Sequence, residues 1–436
     1  MTAPAFSVIL STYNRGRHIV PTIASVLRQD LADFELLVIG DACTDDTEAA
    51  VQGCADPRVT WYNLPQRAGS QSGPNNAGLA RARGRYIAYL GHDDLWAPDH
   101  LTALGACFAA EPDAAFAVSG AIFYGPPASG EHHVTGLFTA ADAPLERFFF
   151  PPSSIAHRRD VAARIGPWRH QDEVRSHVDE EFMLRAMAAG LRFASTGRIT
   201  VHKIAGGYRY LSYLYPDSAE QDLLLRMMAE PGFADFTAKV VRRARAIGKF
   251  MSPRSADFSA FAPGQLTRKN RAAKGLERPS PQPLLGRMTL PPFHGIGGRD
   301  WRAMEKTFGR RGRWSGPSPR PKLLLAVSGG WAKLRIKLSA EPATALDALR
   351  LSINGAPVRF TLTPERKLPG WHILRCTARL KPDDCSVIEF DLTGGLPLER
   401  LVREVGGLDR RIALGKTTLR PLRWPGRLLA AMGLPC

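Results

Sequence analysis

Four times in the first hundred residues, a short apolar run gives way to a segment with helical periodicity. Phe6-Ser-Val-Ile-Leu10 and Phe34-Glu-Leu-Leu-Val-Ile39 are nearly continuous apolar runs, and Val59 to Tyr62 and Tyr86 to Leu90 read as further strands. Runs of this kind are expected of parallel strands covered on both faces. Between them, Ile19 to Leu27 is apolar at Ile19, Ile23, Val26 and Leu27, a period of about 3.6 that lets one helix face pack on a sheet. Thr44 to Val51, Pro74 to Ala82 and Pro98 to Phe108 read as later helices, with Thr44-Asp-Asp-Thr47 and Pro74 supplying capping and first-turn residues. The alternation predicts an α/β domain built on a mostly parallel central sheet.

The polar residues fall where such a sheet binds ligands. Ser11-Thr-Tyr-Asn14 follows the first strand, Asp41 the second, and His92-Asp93-Asp94 the strand ending at Leu90. Open α/β sheets bind at the carboxyl ends of their strands, and three polar clusters there suit a nucleotide carrying a sugar and a diphosphate. Adjacent carboxylates are also common in a turn or a helix N-cap, here ahead of Pro98, so the pair alone does not decide.

Four segments in order resemble the motifs of family 2 glycosyltransferases of the GT-A fold: Val8-Ile-Leu-Ser-Thr-Tyr-Asn-Arg15, Leu37-Val-Ile-Gly-Asp-Ala-Cys-Thr-Asp-Asp-Thr47, Gly73-Pro-Asn-Asn-Ala-Gly78 and Leu90-Gly-His-Asp-Asp-Leu-Trp96. A fifth block, Pro152-Ser-Ser-Ile-Ala-His-Arg-Arg159, Ile165-Gly-Pro-Trp168 and Val178-Asp-Glu-Glu-Phe-Met-Leu-Arg-Ala-Met-Ala-Ala-Gly190, resembles the acceptor-side half of the same family. The resemblance spans about residues 5 to 230. It implies a nucleotide-sugar pocket that includes Ser11, Tyr13, Asn14, Asn75, Asn76 and His92, with Asp41 on the base or ribose. It also implies that Asp93 ligates a divalent ion, Mg²⁺ or Mn²⁺, bridging the two phosphates. A nucleoside diphosphate leaves as a polyanion, and a hard cation with oxygen ligands stabilises the developing charge.

By the same resemblance Asp179 is the general base of an inverting enzyme. A hydroxyl is a poor nucleophile at neutral pH, and a carboxylate in reach can take its proton while the nucleotide departs from the opposite face. The stretch from Glu180 to Ala189, stopped by Gly190, reads as a helix with Asp179 near its N-cap, so capping alone is the other reading of this residue. Gly40 and Gly91 stand where many relatives carry Asp, and Val178 stands in place of the usual Glu. His92 reads as a phosphate or ribose contact or as a plain surface residue. His202 reads as a late metal ligand or a core histidine. Arg158 and Arg159 read as an anion-steering pair or a solvated face.

The charge of +17 is unevenly spread. Residues 1–235 hold 20 Lys and Arg against 27 Asp and Glu; residues 236–315 hold 18 against 4, and residues 316–436 hold 20 against 10. An acidic domain followed by basic segments points the latter toward an anionic surface: a leaflet, a lipid-phosphate carrier or an acidic glycan. No recognition helix, zinc spacing or aromatic platform accompanies the charge, so nucleic acid is not an expected partner. Three regions follow: a GT-A domain over 1–235, a basic helical or extended linker over 236–315, and an accessory domain over 316–436. In the last, Lys322 to Val327, Ala332 to Leu338, Leu349 to Ile353, Val358 to Leu362, Trp371 to Ala378 and Ser386 to Asp391 alternate and are parted by turn residues, which predicts an all-β sandwich. The tail Arg420 to Gly433 mixes basic and apolar residues, suiting either a membrane interface or a cap on the sandwich.

No run approaches about 18 consecutive apolar residues. The chain enters a strand almost at Met1, which leaves no room for a signal peptide. The six cysteines show no metal-type spacing and are expected to stay reduced. The expected location is cytoplasmic, peripheral at the inner face of the cell membrane. The expected function is inverting, metal-dependent transfer of a sugar from a nucleoside-diphosphate-sugar donor to a glycan or lipid-linked saccharide acceptor. The alternatives are a noncatalytic glycan-binding or assembly protein on a degenerate transferase fold, and an anionic-surface adaptor driven by the basic half.

Overall fold

A computed structural model describes residues 3–422 apart from 205, 207–208, 210, 254–256, 274–275, 277–278, 292–300, 308–309, 317 and 409. Most of the expected interfacial tail and Cys436 lie outside the described residues. The chain forms two compact units. The first comprises Met1–Tyr124, His132–Ala205 and Pro216–Asn270, and the second Gly125–Glu131, Gly206–Tyr215 and Arg271–Cys436.

The first unit opens with β1 (Phe6–Thr12), α1 (Val20–Leu27), β2 (Phe34–Gly40), α2 (Thr47–Gln52), β3 (Val59–Asn63), α3 (Ser72–Leu79) and β4 (Tyr86–Gly91). It continues with β5 (Asp94–Trp96), α4 (His100–Ala110), β6 (Phe116–Tyr124), β7 (His133–Thr135), β8 (Ile155–Arg158), α5 (Val161–Ile165), α6 (Val178–Ala188), β9 (Phe193–Ile204), α7 (Ala219–Met227) and α8 (Phe233–Ala246). The strands form one sheet in the order β3-β2-β1-β4-β8-β6-β9-β5, with β7 on β6. β1, β2, β3 and β4 pair in parallel, β6 pairs with β9 in parallel, and β8 runs antiparallel between β4 and β6.

Burial on both faces explains the apolar runs of β1, β2 and β4, whereas β3, at the sheet edge, is half-buried to exposed and does not meet that expectation. Val8 and Leu10 of β1 join Ile23 of α1 and Leu104 of α4 in one core. Ile9 points the other way, into a second core with Tyr89, Trp168 and Phe182. α3 lies so close that a Cβ on Gly78 would come 2.5 Å from Ile9, so only glycine fits there.

The second unit holds two antiparallel sheets. The wider runs through Trp301–Thr307, Arg310–Ser315, Arg411–Pro421, Trp331–Glu341, His372–Arg379 and Phe360–Pro364, with Met288–Leu290 pairing along Arg411–Pro421. The smaller runs through Lys322–Leu325, Ser386–Asp391, Arg350–Ile353 and Ala356–Pro357. Inward residues of both, among them Ile336 and Leu374 from one and Leu325 and Ile388 from the other, share a single core, which is the sandwich the alternating pattern predicts. Neither Cys376 nor Cys385 is in a disulfide, and both are buried. Burial pushes the Cys376 thiol up to about 12, and Cys385 donates to the Pro279 carbonyl. Among the described residues, no helix is long and apolar enough to cross a membrane.

Candidate active site

The ends of β1 and β2 are laced together by short polar contacts. Ser11 donates to Asn75 Oδ1. The buried Asn75 Nδ2 and Thr12 Oγ1 have no partner among the described residues, and unpartnered buried polar groups are a common mark of a ligand or water site. Tyr13 carries the Arg67 guanidinium 3.7 Å above its ring. Asn14, at φ +44°, accepts from the Thr44 amide at 2.9 Å. The Asp41 carboxylate accepts from the backbone amides of Ala68 at 2.6 Å and Gly69 at 2.9 Å, so it fixes the loop after β3 while standing at the expected strand end. Asn76 acts differently from its neighbour. Its side chain clasps the Trp168 backbone in both directions, at 2.8 and 2.9 Å, and so ties α3 to the segment that leads into α6.

The expected capping of α2 takes another form. Its N-cap Asp46 makes no side-chain cap, while Thr47 Oγ1 donates to Asp45 and accepts the amides of Arg15 and Gly16. The Thr44-to-Thr47 cluster thereby holds the β1 loop rather than the helix end.

The β4 loop separates its two carboxylates. Asp94 is wholly buried, with Oδ2 receiving Ser153 Oγ and Lys203 Nζ, each at 2.5 Å. Burial pushes its carboxyl above the usual carboxylate range, the Lys203 charge opposes that push and the Asp93 charge adds to it. Gln221 of α7 donates to the Asp93 carbonyl at 3.5 Å. His92 Nε2 accepts from Arg15 at 2.7 Å. Because a guanidinium can only donate, the neutral imidazole carries its proton on Nδ1.

Among the described residues no three His, Cys, Asp or Glu side chains come together to hold a metal ion. Asp94 is committed to Lys203, and Asp93 is the loop's other carboxylate, half-buried. A Mg²⁺-type ion often takes one or two protein carboxylates and completes its shell with substrate phosphates and water, so a single Asp93 fits a site that only a bound diphosphate would complete.

The two glycines have a physical basis. A Cβ at Gly40 would lie 2.5 Å from Asn63 Oδ1 and 2.6 Å from the Trp61 ring, and one at Gly91 would lie 2.8 Å from Asp94 Oδ2. Val178, third of the departures, is buried in the core beside Trp168 and Phe182.

Asp179 sits in the first turn of α6, whose N-cap is His177. Three carboxylates follow one another there. Glu181 is held by Arg185 at 2.9 Å and Arg169 at 3.1 Å, and Glu180 is buried. Asp179 is half-buried, and its Oδ1 accepts from the adjacent Glu180 amide. Beneath α6 a relay runs from Trp168 Nε1 to Tyr89 Oη at 3.1 Å, on to His157 Nε2 at 2.9 Å, and from His157 Nδ1 to the Arg158 carbonyl at 2.7 Å.

His202 is 1% exposed and bonds Tyr124 Oη through Nδ1 at 2.9 Å, a core position. Arg158 is spent on the Ala114 and Pro112 carbonyls, and Arg159 on the Arg83 carbonyl. Sequence reasoning missed Lys203, Ser153, Arg15 and Arg67. Arg15 and Ser153 stand inside motif segments but were given no role, Lys203 and Arg67 lie outside them, and each meets its partner only through the fold.

Residues 7–165 match the glycosyl transferase family 2 model. The succinoglycan biosynthesis protein ExoO of Rhizobium meliloti (strain 1021) is 39% identical over 22% of this chain and 28% of its own length. The putative teichuronic acid biosynthesis glycosyltransferase TuaG of Bacillus subtilis (strain 168) is 31% identical over 35% of this chain and 56% of its own. The UDP-Glc:alpha-D-GlcNAc-diphosphoundecaprenol beta-1,3-glucosyltransferase WfgD of Escherichia coli is 37% identical over 22% of this chain and 37% of its own. The match thus spans little more than half of these relatives at most.

Proposed function

We propose, from the premise that residues 7–165 of the chain are a glycosyl transferase family 2 domain, that the first unit transfers a sugar from a nucleoside-diphosphate-sugar donor, with inversion, to a hydroxyl of a glycan or lipid-linked saccharide. The observation that carries the reading is the gathering of polar groups after β1, β2 and β4, three neighbouring parallel strands. The functions named for ExoO, TuaG and WfgD support a place in surface polysaccharide assembly, on the cytoplasmic side of the membrane. The exposed basic residues Lys239, Arg242 and Arg245 of α8 suit contact with an anionic leaflet.

In this reading Ser11, Tyr13, Asn14, Asp41, Asn75 and His92 orient the nucleotide, and Asn76 positions the acceptor-side segment through Trp168. Asp93 would hold a Mg²⁺ or Mn²⁺ ion, which when bound offsets the charge on the leaving diphosphate. Asp179 takes the proton of the acceptor hydroxyl as the new C1–O bond forms.

The noncatalytic alternative draws on Gly40 and Gly91, whose places leave no room for the carboxylates common in relatives. A thermal-shift screen of nucleotide sugars with and without Mn²⁺, followed by assay of nucleoside diphosphate release, tests both. A donor-specific rise that depends on Mn²⁺, together with release, is the expected result. Glycan binding without either would move the assignment to the alternative.

A further inference from the structure

One face of the wider sheet in the second unit carries its cations in a costly arrangement. Along Trp331–Glu341 the even-numbered residues from Ala332 to Leu338 are buried, and Lys333, Arg335 and Lys337 turn outward. Arg335 stands directly opposite Arg375 on the neighbouring strand, and Lys333 directly opposite Arg420 on the other side. Like charges facing each other across strands destabilise a sheet, and here two such pairs lie side by side.

The compensation is partial. Glu365 reaches Lys337 at 2.6 Å and Arg335 at 3.5 Å, and Arg375 donates to the Thr363 hydroxyl at 2.8 Å. Among the described residues Lys333, Arg375 and Arg420 have no carboxylate partner, and all three are exposed. The strands Phe360–Pro364, His372–Arg379 and Arg411–Pro421 contain no acidic residue. A surface kept positive at a cost to stability calls for an anionic partner to offset it.

The rest of the face indicates which kind. Thr361, Thr363 and Thr418 project among the cations, Trp331 lies half-buried on the same side, and among the described residues of the unit the exposed large apolar ones, Tyr215 and Leu285, lie on other segments. Hydroxyls and one aromatic ring beside cations suit sugar rings that bear acid groups, whereas a membrane site would present apolar side chains for insertion. We propose that this sheet face binds an acidic glycan, a chain of sugars carrying carboxylates, independently of the transfer reaction assigned to the first unit.

The test uses the full chain and polygalacturonate as probe, with neutral dextran and phosphatidylglycerol vesicles beside it. The variant K333Q/R375Q/R420Q removes three charges and leaves Arg335 to pair with Glu365; K239Q/R242Q/R245Q removes three from α8. The sheet variant should weaken polygalacturonate binding about tenfold or more while melting no lower than the parent, because two like-charge pairs are gone. The helix variant should bind polygalacturonate nearly as the parent does. Equal weakening by both variants, no weakening by the sheet variant, or retention of the parent on vesicles but not on polygalacturonate would each overturn the proposal.

Discussion

Lys203 Nζ meets Asp94 Oδ2 at 2.5 Å, across strands in which the two residues are direct register partners. The pair divides the labour of the adjacent carboxylates. Asp94 anchors the loop from inside, and Asp93 beside it is only half-buried. Asp94→Asn should lower stability by about 1–3 kcal/mol, since Lys203 is partly solvated and recovers some hydration. Lys203→Met should cost more, because it strands a carboxylate that is 0% exposed. Urea denaturation of both variants checks this, and equal midpoints with the parent would refute it.

The same packing limits what restoring a motif can achieve. Gly91→Asp reinstates a carboxylate common in relatives, yet its Cβ would sit 2.8 Å from Asp94 Oδ2. The locked Asp94 can yield only by leaving Lys203 or Ser153. The variant should therefore lose about 1–3 kcal/mol and gain no affinity for Mn²⁺, as titration calorimetry with a nucleoside diphosphate present would report.

The α/β domain was legible because Val8, Ile9 and Leu10 are all apolar, and only a strand buried on both faces requires that. The sandwich was legible from the strict alternation in Trp331–Glu341. What the sequence concealed were long-range polar choices. The resemblance separates Asp93 from Asp94, but what holds Asp94, Ser153 and Lys203, the latter 109 residues away, is not readable in the motif. Asn75 and Asn76 are likewise adjacent, yet one meets Ser11 and the other Trp168. Gly40 reads as a lost carboxylate until Trp61 is seen filling its space.

The relay from Trp168 through Tyr89 to His157 links β4 and β8 to the segment that precedes α6. Tyr89→Phe removes the shared hydroxyl and leaves Trp168 Nε1 and His157 Nε2 buried without their partner. Each unsatisfied group costs about 1–3 kcal/mol. The variant should melt well below the parent and lose turnover through misplacement of α6, with nucleotide binding at the β1 and β2 ends less affected. Equal loss of both, by calorimetry and assay, would argue against this coupling.

Three of the four buried histidines described in the first unit, His100, His157 and His202, make it sensitive to mild acid. Burial holds His100 and His202 down at about 3 and His157 at about 4. The unfolded chain protonates near 6.5 and the native one does not, so their contribution is full above 6.5 and is lost as the pH falls toward those lower values. By pH 5.5 each should have lost about 1.4 kcal/mol, about 4 kcal/mol together. Denaturant titrations at pH 7.5, 6.5 and 5.5 would show it, and replacing His100 with Gln should remove about a third of the dependence.

Asp179 is distinguished from the carboxylates beside it by what holds them. Glu181 is fixed by Arg169 and Arg185, Glu180 is buried, and Asp179 is half-buried at the first turn with an oxygen to spare. In the proposed reading Asp179 acts on the acceptor and has no part in holding the donor nucleotide. Asp179→Asn should keep the nucleotide-dependent thermal shift and reduce sugar transfer by about 10²–10⁴, while Asp93→Asn should lose the Mn²⁺-dependent shift itself. Glu181→Gln should instead lower stability, by freeing both arginines, with a smaller effect on the rate per folded molecule. If Asp179→Asn transfers sugar at the parental rate, proton removal belongs to another group and the assignment of α6 to the acceptor side falls with it.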